Sequence, residues 1–164
     1  IGKNEKLQVC SLIGGLYEAR IPVSASNGYF GVHTSEQLGD QLKSFRDLGY
    51  PGAKINIGRN PEDDEKRVAI ARTALGDDAL LMVDVNGNYT SDLALQSMNR
   101  IQDYGIHFYE EPLTPTDLEG YGRLRRSAPI PIATGEALYT AHDFKRLMDV
   151  NGADLWQPDL TPVS

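Results

Sequence analysis

The strongest constraint on this chain is a rhythm. Short apolar, β-rich runs alternate with amphipathic segments that open on a capping residue and close on glycine. From the second run onward the starts fall at residues 53, 80, 107, 130 and 154, so the spacings are 27, 27, 23 and 24. That is a β/α unit repeated, and such units build parallel sheets.

The punctuation between the runs is specific. Ile21 to Ser26 reads as the first strand, and Thr34-Ser35-Glu36-Gln37 fits a capping box for a helix closed by Gly49. Ala53 to Gly58 is the second strand. Asn60-Pro61 opens the next helix, with Glu62, Asp63 and Asp64 on its positive end, and Gly76 closes it. Leu80 to Asn86 is the third strand, with a helix from Thr90 to Tyr104 before Gly105. His107 to Glu111 is the fourth strand, and Thr116 to Glu119 reads as a second capping box. Ile130 to Glu136 is the fifth strand, Thr140 caps a helix ending before Gly152, and Asp154 to Asp159 is the sixth.

Leu80 to Val83 and Ile130 to Ala133 are apolar nearly throughout, as strands covered on both faces should be. An open doubly wound sheet and a (β/α)8 barrel both fit this pattern. The open sheet usually carries a glycine-rich phosphate turn after its first strand, and Asn27-Gly28-Tyr29-Phe30-Gly31 lacks that spacing. The expected fold is therefore an α/β barrel with about six units present across residues 1–164, a partial barrel domain whose last strands lie beyond Ser164.

Composition narrows the function. The formal charge is -7, which argues against nucleic acid as a partner. The longest apolar run, Ala79 to Val83, is far short of a membrane span. The single cysteine, Cys10, rules out a disulfide framework and fits a reducing, cytoplasmic compartment.

Three acids end apolar strands. Asp84 follows Met82-Val83, Glu110 follows Phe108-Tyr109, and Glu136 follows Thr134-Gly135. The steps from 84 to 110 and from 110 to 136 are both 26 residues, which predicts matching heights on neighbouring strands. In a barrel that is the C-terminal rim, where active sites lie. Three converging carboxylates stay ionised together only around a cation, and all-oxygen ligation suits Mg2+. The plainer alternative for any one of them is a helix cap or a solvated loop charge. On the second strand, Lys54 and Asn56 share a face by the two-residue period. Lys54 is a candidate base or electrostatic clamp, or a partner for one of the acids. Asn56 and Asn86 are candidate substrate contacts, with Ser24 and Ser26 as weaker ones. His33, His107 and His142 read as structural or solvated. Asp159, past the sixth strand, could orient a histidine base.

Together, Tyr109-Glu110-Glu111-Pro112-Leu113, Pro131-Ile132-Ala133-Thr134-Gly135-Glu136, Gln157-Pro158-Asp159, Val83-Asp84-Val85-Asn86-Gly87 and Leu12-Ile13-Gly14-Gly15 resemble the enolase superfamily, in its mandelate racemase and acid-sugar dehydratase branch. The resemblance implies a TIM-type barrel and a separate α+β capping domain that this chain lacks. It implies Asp84, Glu110 and Glu136 as Mg2+ ligands, and Asp159 as half of a His-Asp dyad whose histidine lies on a seventh strand outside the chain. A glutamate in Gly135-Glu136 resembles this branch more than the muconate-cycloisomerase branch. The sequence departs from the family at Lys54-Ile55-Asn56, where a second lysine often serves as base; asparagine takes no proton at neutral pH.

The activity so implied is a Mg2+-dependent hydro-lyase, a carbon–oxygen lyase acting as homo-oligomer on a small aldonate or aldarate. Removal of the α-proton gives an enediolate, and loss of the β-hydroxyl gives a 2-keto-3-deoxy acid. Two other readings stay open: a racemase or epimerase of 2-hydroxy acids, and a truncated, non-catalytic fragment. A six-unit piece would expose two unpaired sheet edges. Intact mass separates the fragment from the enzymes.

Overall fold

A computed structural model of the chain describes residues 2–12, 14–15, 22–28 and 34–159. Two short helices, α1 (Gly2–Glu5) and α2 (Val9–Leu12), precede the repeat. It then runs β1 (Ala25–Asn27), α3 (Ser35–Asp47), β2 (Gly52–Asn56), α4 (Pro61–Leu75), β3 (Leu80–Asp84), α5 (Ser91–Ile101), β4 (Ile106–Glu110), α6 (Leu118–Arg125), β5 (Ile132–Thr134), α7 (Ala141–Asp149) and β6 (Leu155–Trp156).

All strand pairs are parallel, and the spatial order is β1-β2-β3-β4-β5-β6. Helices pack in the same succession, α3 on α4, α4 on α5, α5 on α6 and α6 on α7. Right-handed crossovers that always step to the next strand put every helix on one face. A doubly wound sheet reverses its order and carries helices on both faces. The sequential order is that of a barrel, so the expected fold class holds.

The core lies between sheet and helix layer. Ile55, Leu81, Val83, Tyr109 and Ile132 meet Leu38, Val68, Met98, Ile101 and Leu147, all fully or almost fully buried. Alternation along the strands turns Lys54, Asn56, Met82, Asp84 and Glu110 to the opposite, inner face. Packing between β2 and β3 is close enough that a Cβ on Gly52 would overlap the Leu80 carbonyl. Gly52→Ala is therefore expected to cost about 1–3 kcal/mol, read as a lower unfolding midpoint in urea.

Caps fall where the sequence placed them at Thr34, Asn60, Thr90 and Thr140. Several boundaries differ: β2 ends at Asn56, β3 at Asp84 and β5 at Thr134, each two residues short of the expected end. Ile21 lies outside the described residues, and β1 is only Ala25–Asn27. The third helix ends at Ile101, and Gln102–Tyr104 closes as a 3-10 turn before Gly105. The cap of α6 is Asp117, not Thr116, with its carboxylate accepting from Gly120 N at 2.9 Å. The sixth strand is two residues long: Pro158 has no N–H for a ladder, and Asp154 instead accepts from Ile132 N at 2.9 Å and from Arg125 at 2.7 Å. No helix among the described residues is long and apolar enough to cross a membrane.

Candidate metal centre

Asp84 and Glu110 end adjacent strands and are register partners. Each continues a buried strand, so neither carboxylate can turn to bulk water; Glu110 is 1% exposed and Asp84 5%. Lys54 reaches them from the second strand. Its Nζ lies 2.6 Å from Glu110 Oε1 and 3.2 Å from Asp84 Oδ2. Burial pulls the Lys54 ammonium down, but the two carboxylates outweigh it and leave it above the ordinary lysine value. Glu110 moves up, because burial outweighs the attraction of Lys54 and Asp84 adds repulsion.

Two asparagines frame this group. Asn56 Nδ2 donates to Asn86 Oδ1 at 2.7 Å, and Asn86 N donates to Asp84 Oδ1 at 3.0 Å. Asn86 has φ 51, a left-handed conformation that asparagine tolerates. Five predicted residues, Lys54, Asn56, Asp84, Asn86 and Glu110, are thus assembled at one end of the sheet.

Glu136 is not at their height. Glu110 pairs with Ala133, so Glu136 sits three residues farther along, past Gly135, and it is exposed. The equal spacing of 26 misled because the β4-to-β5 unit is shorter in register than the β3-to-β4 unit. Gly135, at φ 142, lets the chain turn where a Cβ would meet the Gln157 backbone at 3.0 Å. Asp159, also exposed, lies three residues beyond β6. Among the described residues no three His, Cys, Asp or Glu side chains are spaced to hold a metal ion. Of the remaining candidates, Ser26 is the exposed register partner of Lys54. His107 is exposed on β4, His142 lies in the first turn of α7, and His33 is outside the described residues.

One residue of the site escaped the sequence reading. Glu111 is 7% exposed and has φ 42, uncommon for a side chain of this kind. Burial, then Glu136, Asp84 and Glu110, push its carboxyl up to about 7. It therefore stands within the field of both Asp84 and Glu136. The doubled glutamate before Pro112 was the available signal.

The donor set suits a hard cation. It consists of carboxylate oxygens, a cationic group already lies between two of them, and Glu110 Oε2 is buried with no hydrogen-bond partner among the described residues.

Comparison with known proteins bears on the same residues. A family model described as enolase C-terminal domain-like matches residues 37–164. D-galactarolactone cycloisomerase of Agrobacterium fabrum is 32% identical over 97% of this chain and 43% of its own length. Arabinonate dehydratase of Saccharolobus solfataricus is 31% identical over 98% of this chain and 43% of its own. The crystal structure of a mandelate racemase/muconate lactonizing enzyme from a marine actinobacterium, in complex with magnesium, superposes with a TM-score of 0.85 at 29% identity. It covers 96% of this chain and 44% of that one. The chain thus spans less than half the length of the relatives it matches.

Proposed function

The chain belongs to the enolase C-terminal domain-like family, and from that premise we propose that it carries the metal-binding rim of a Mg2+-dependent acid-sugar dehydratase. The observation that carries this reading is the buried pair Asp84 and Glu110, which share the Lys54 ammonium, with Glu110 Oε2 unsatisfied among the described residues. Its likeness to an arabinonate dehydratase supports the substrate class.

Asp84 and Glu110 would hold the magnesium, with Glu136 completing the set from the loop beyond β5. Bound there, the ion supplies Lewis-acid stabilisation of the negative charge that develops when the α-proton leaves. Lys54 keeps two repelling carboxylates together, and its contacts suit an electrostatic clamp better than a resting base. Asn56 and Asn86 present amides beside the carboxylates, fit to orient a substrate hydroxyl. Asp159 is assigned to orient the histidine that takes the proton.

The test is turnover by the full-length protein with Mg2+ and a panel of aldonates and aldarates in D2O. Water loss to a 2-keto-3-deoxy acid is the expected result. Exchange of the α-proton without water loss would assign a racemase or epimerase instead. Neither reaction with any member of the panel would sink the reading.

A further inference from the structure

Asp64 reads from sequence as one of three acids on the positive end of a helix. Its neighbours in that run pair with solvent-accessible arginines, Glu62 with Arg100 and Asp63 with Arg59. Asp64 is different. It is fully buried among apolar residues of the helix layer. A carboxylate there costs more than a leucine would unless both its oxygens are hydrogen-bonded. Three donors from three segments do this. Gly58 N lies 2.8 Å from Oδ1, and Tyr89 Oη and Ser97 Oγ lie 2.7 and 2.6 Å from Oδ2.

Two of those donors belong to the rim. Gly58 is two residues past Asn56. Tyr89 is three past Asn86; its N donates to Pro112 O at 3.3 Å, and it bridges to Leu113 beyond Glu110 and Glu111. One turn along α4, Arg67 is also buried. Its Nε donates to the Asn56 carbonyl at 3.1 Å, and its terminal nitrogen donates to the Gly28 carbonyl just past β1. The ends of β1, β2, β3 and β4 are thereby fastened to one helix turn.

We propose that Asp64, Arg67 and Tyr89 are positioning residues, which hold the Asn56–Asn86 pair and Asp84 at the height the site requires. The inference rests on the proposed use of that rim. It adds that the rim's geometry is set from α4, behind the sheet, by groups that touch neither metal nor substrate.

The test compares two variants that each remove one donor from the same carboxylate oxygen. Tyr89→Phe takes the donor on the rim loop. Ser97→Ala takes the one on α5, in the helix layer. Both are expected to lower the melting temperature. Tyr89→Phe alone should speed amide exchange over residues 84–88 about tenfold. It should also lower kcat about tenfold with KM unchanged, as small misplacements do. A purely structural network predicts the same exchange and the same kcat for the two variants, and that outcome overturns the proposal. If the wild-type protein turns over no acid, the proposed function fails, while the exchange comparison still decides the positioning role.

Discussion

Lys54→Met will destabilise the folded protein more than a typical single substitution does. The change keeps the apolar stem of the side chain but removes the positive group that, among the described residues, contacts both Asp84 and Glu110. Two carboxylates, 1% and 7% exposed at their side chains, would then face each other unbalanced. Removing one member of a buried ion pair costs about 3–5 kcal/mol, and the partial exposure of Lys54 puts the expectation at the lower end. In a chain of this size that is a fall in Tm on the order of 10 °C.

The deficit has two signatures. It should shrink as pH falls from 7 toward 5. Glu110 is already raised by burial, and without Lys54 the folded state takes up a proton more readily than the unfolded chain. A state that binds extra protons is favoured as pH drops. The deficit should also shrink on adding Mn2+ as a stand-in for magnesium, because the variant has no ammonium between the carboxylates to compete with the cation and so binds it more tightly than the wild type does. Each form gains about 2.7 kcal/mol once the cation is at a hundredfold excess over that form's own dissociation constant, so the difference closes at cation concentrations where only the variant is saturated. A variant as stable as the wild type at pH 7 would show that the two carboxylates do not depend on Lys54.

What the sequence made legible was local chemistry. Thr34, Asn60, Thr90 and Thr140 cap helices because a side-chain oxygen two or three residues from a free N–H decides the matter alone. Where two local patterns competed, the choice needed atoms. Thr116 and Glu119 match a capping box, yet Asp117 wins, since Gly120 has no Cβ and a Cβ there would overlap the Asp117 carboxylate. The assembly of Lys54, Asn56, Asp84, Asn86 and Glu110 was readable because strand alternation sets a face and strand ends set a rim. The height of Glu136 was not, because counting residues between strands says nothing of register. Glu111 was hidden by the same alternation, which would send it to the helix layer; its left-handed backbone breaks that alternation, and the charges of Glu136, Asp84 and Glu110 act on it. Asp64 was hidden because an acid in a first helical turn satisfies a dipole argument whether or not it is buried.

Glu110→Gln and Glu136→Gln will separate the two kinds of ligand proposed for the site. Glu110 is buried, register-matched to Asp84, and has an oxygen with no partner among the described residues. Its amide keeps the volume and removes the charge. The expected result is loss of Mn2+ binding by calorimetry and a fall in turnover on the order of 10^3-fold, the upper range for deleting one preorganised electrostatic group. Lys54 would keep only Asp84 as a partner, so the fold should survive and the loss be one of chemistry. Glu136 is exposed and three residues beyond the register of the other two. As a ligand its carboxylate would have to be drawn in by the cation, and part of the binding energy would go into ordering the loop. Glu136→Gln is therefore expected to weaken Mn2+ about 10–100-fold, with turnover recovered at high Mn2+ concentration. Equal, irreversible losses in both variants would place Glu136 in the same preformed group as Asp84 and Glu110. No loss in Glu110→Gln would remove the carboxylate pair from the chemistry altogether.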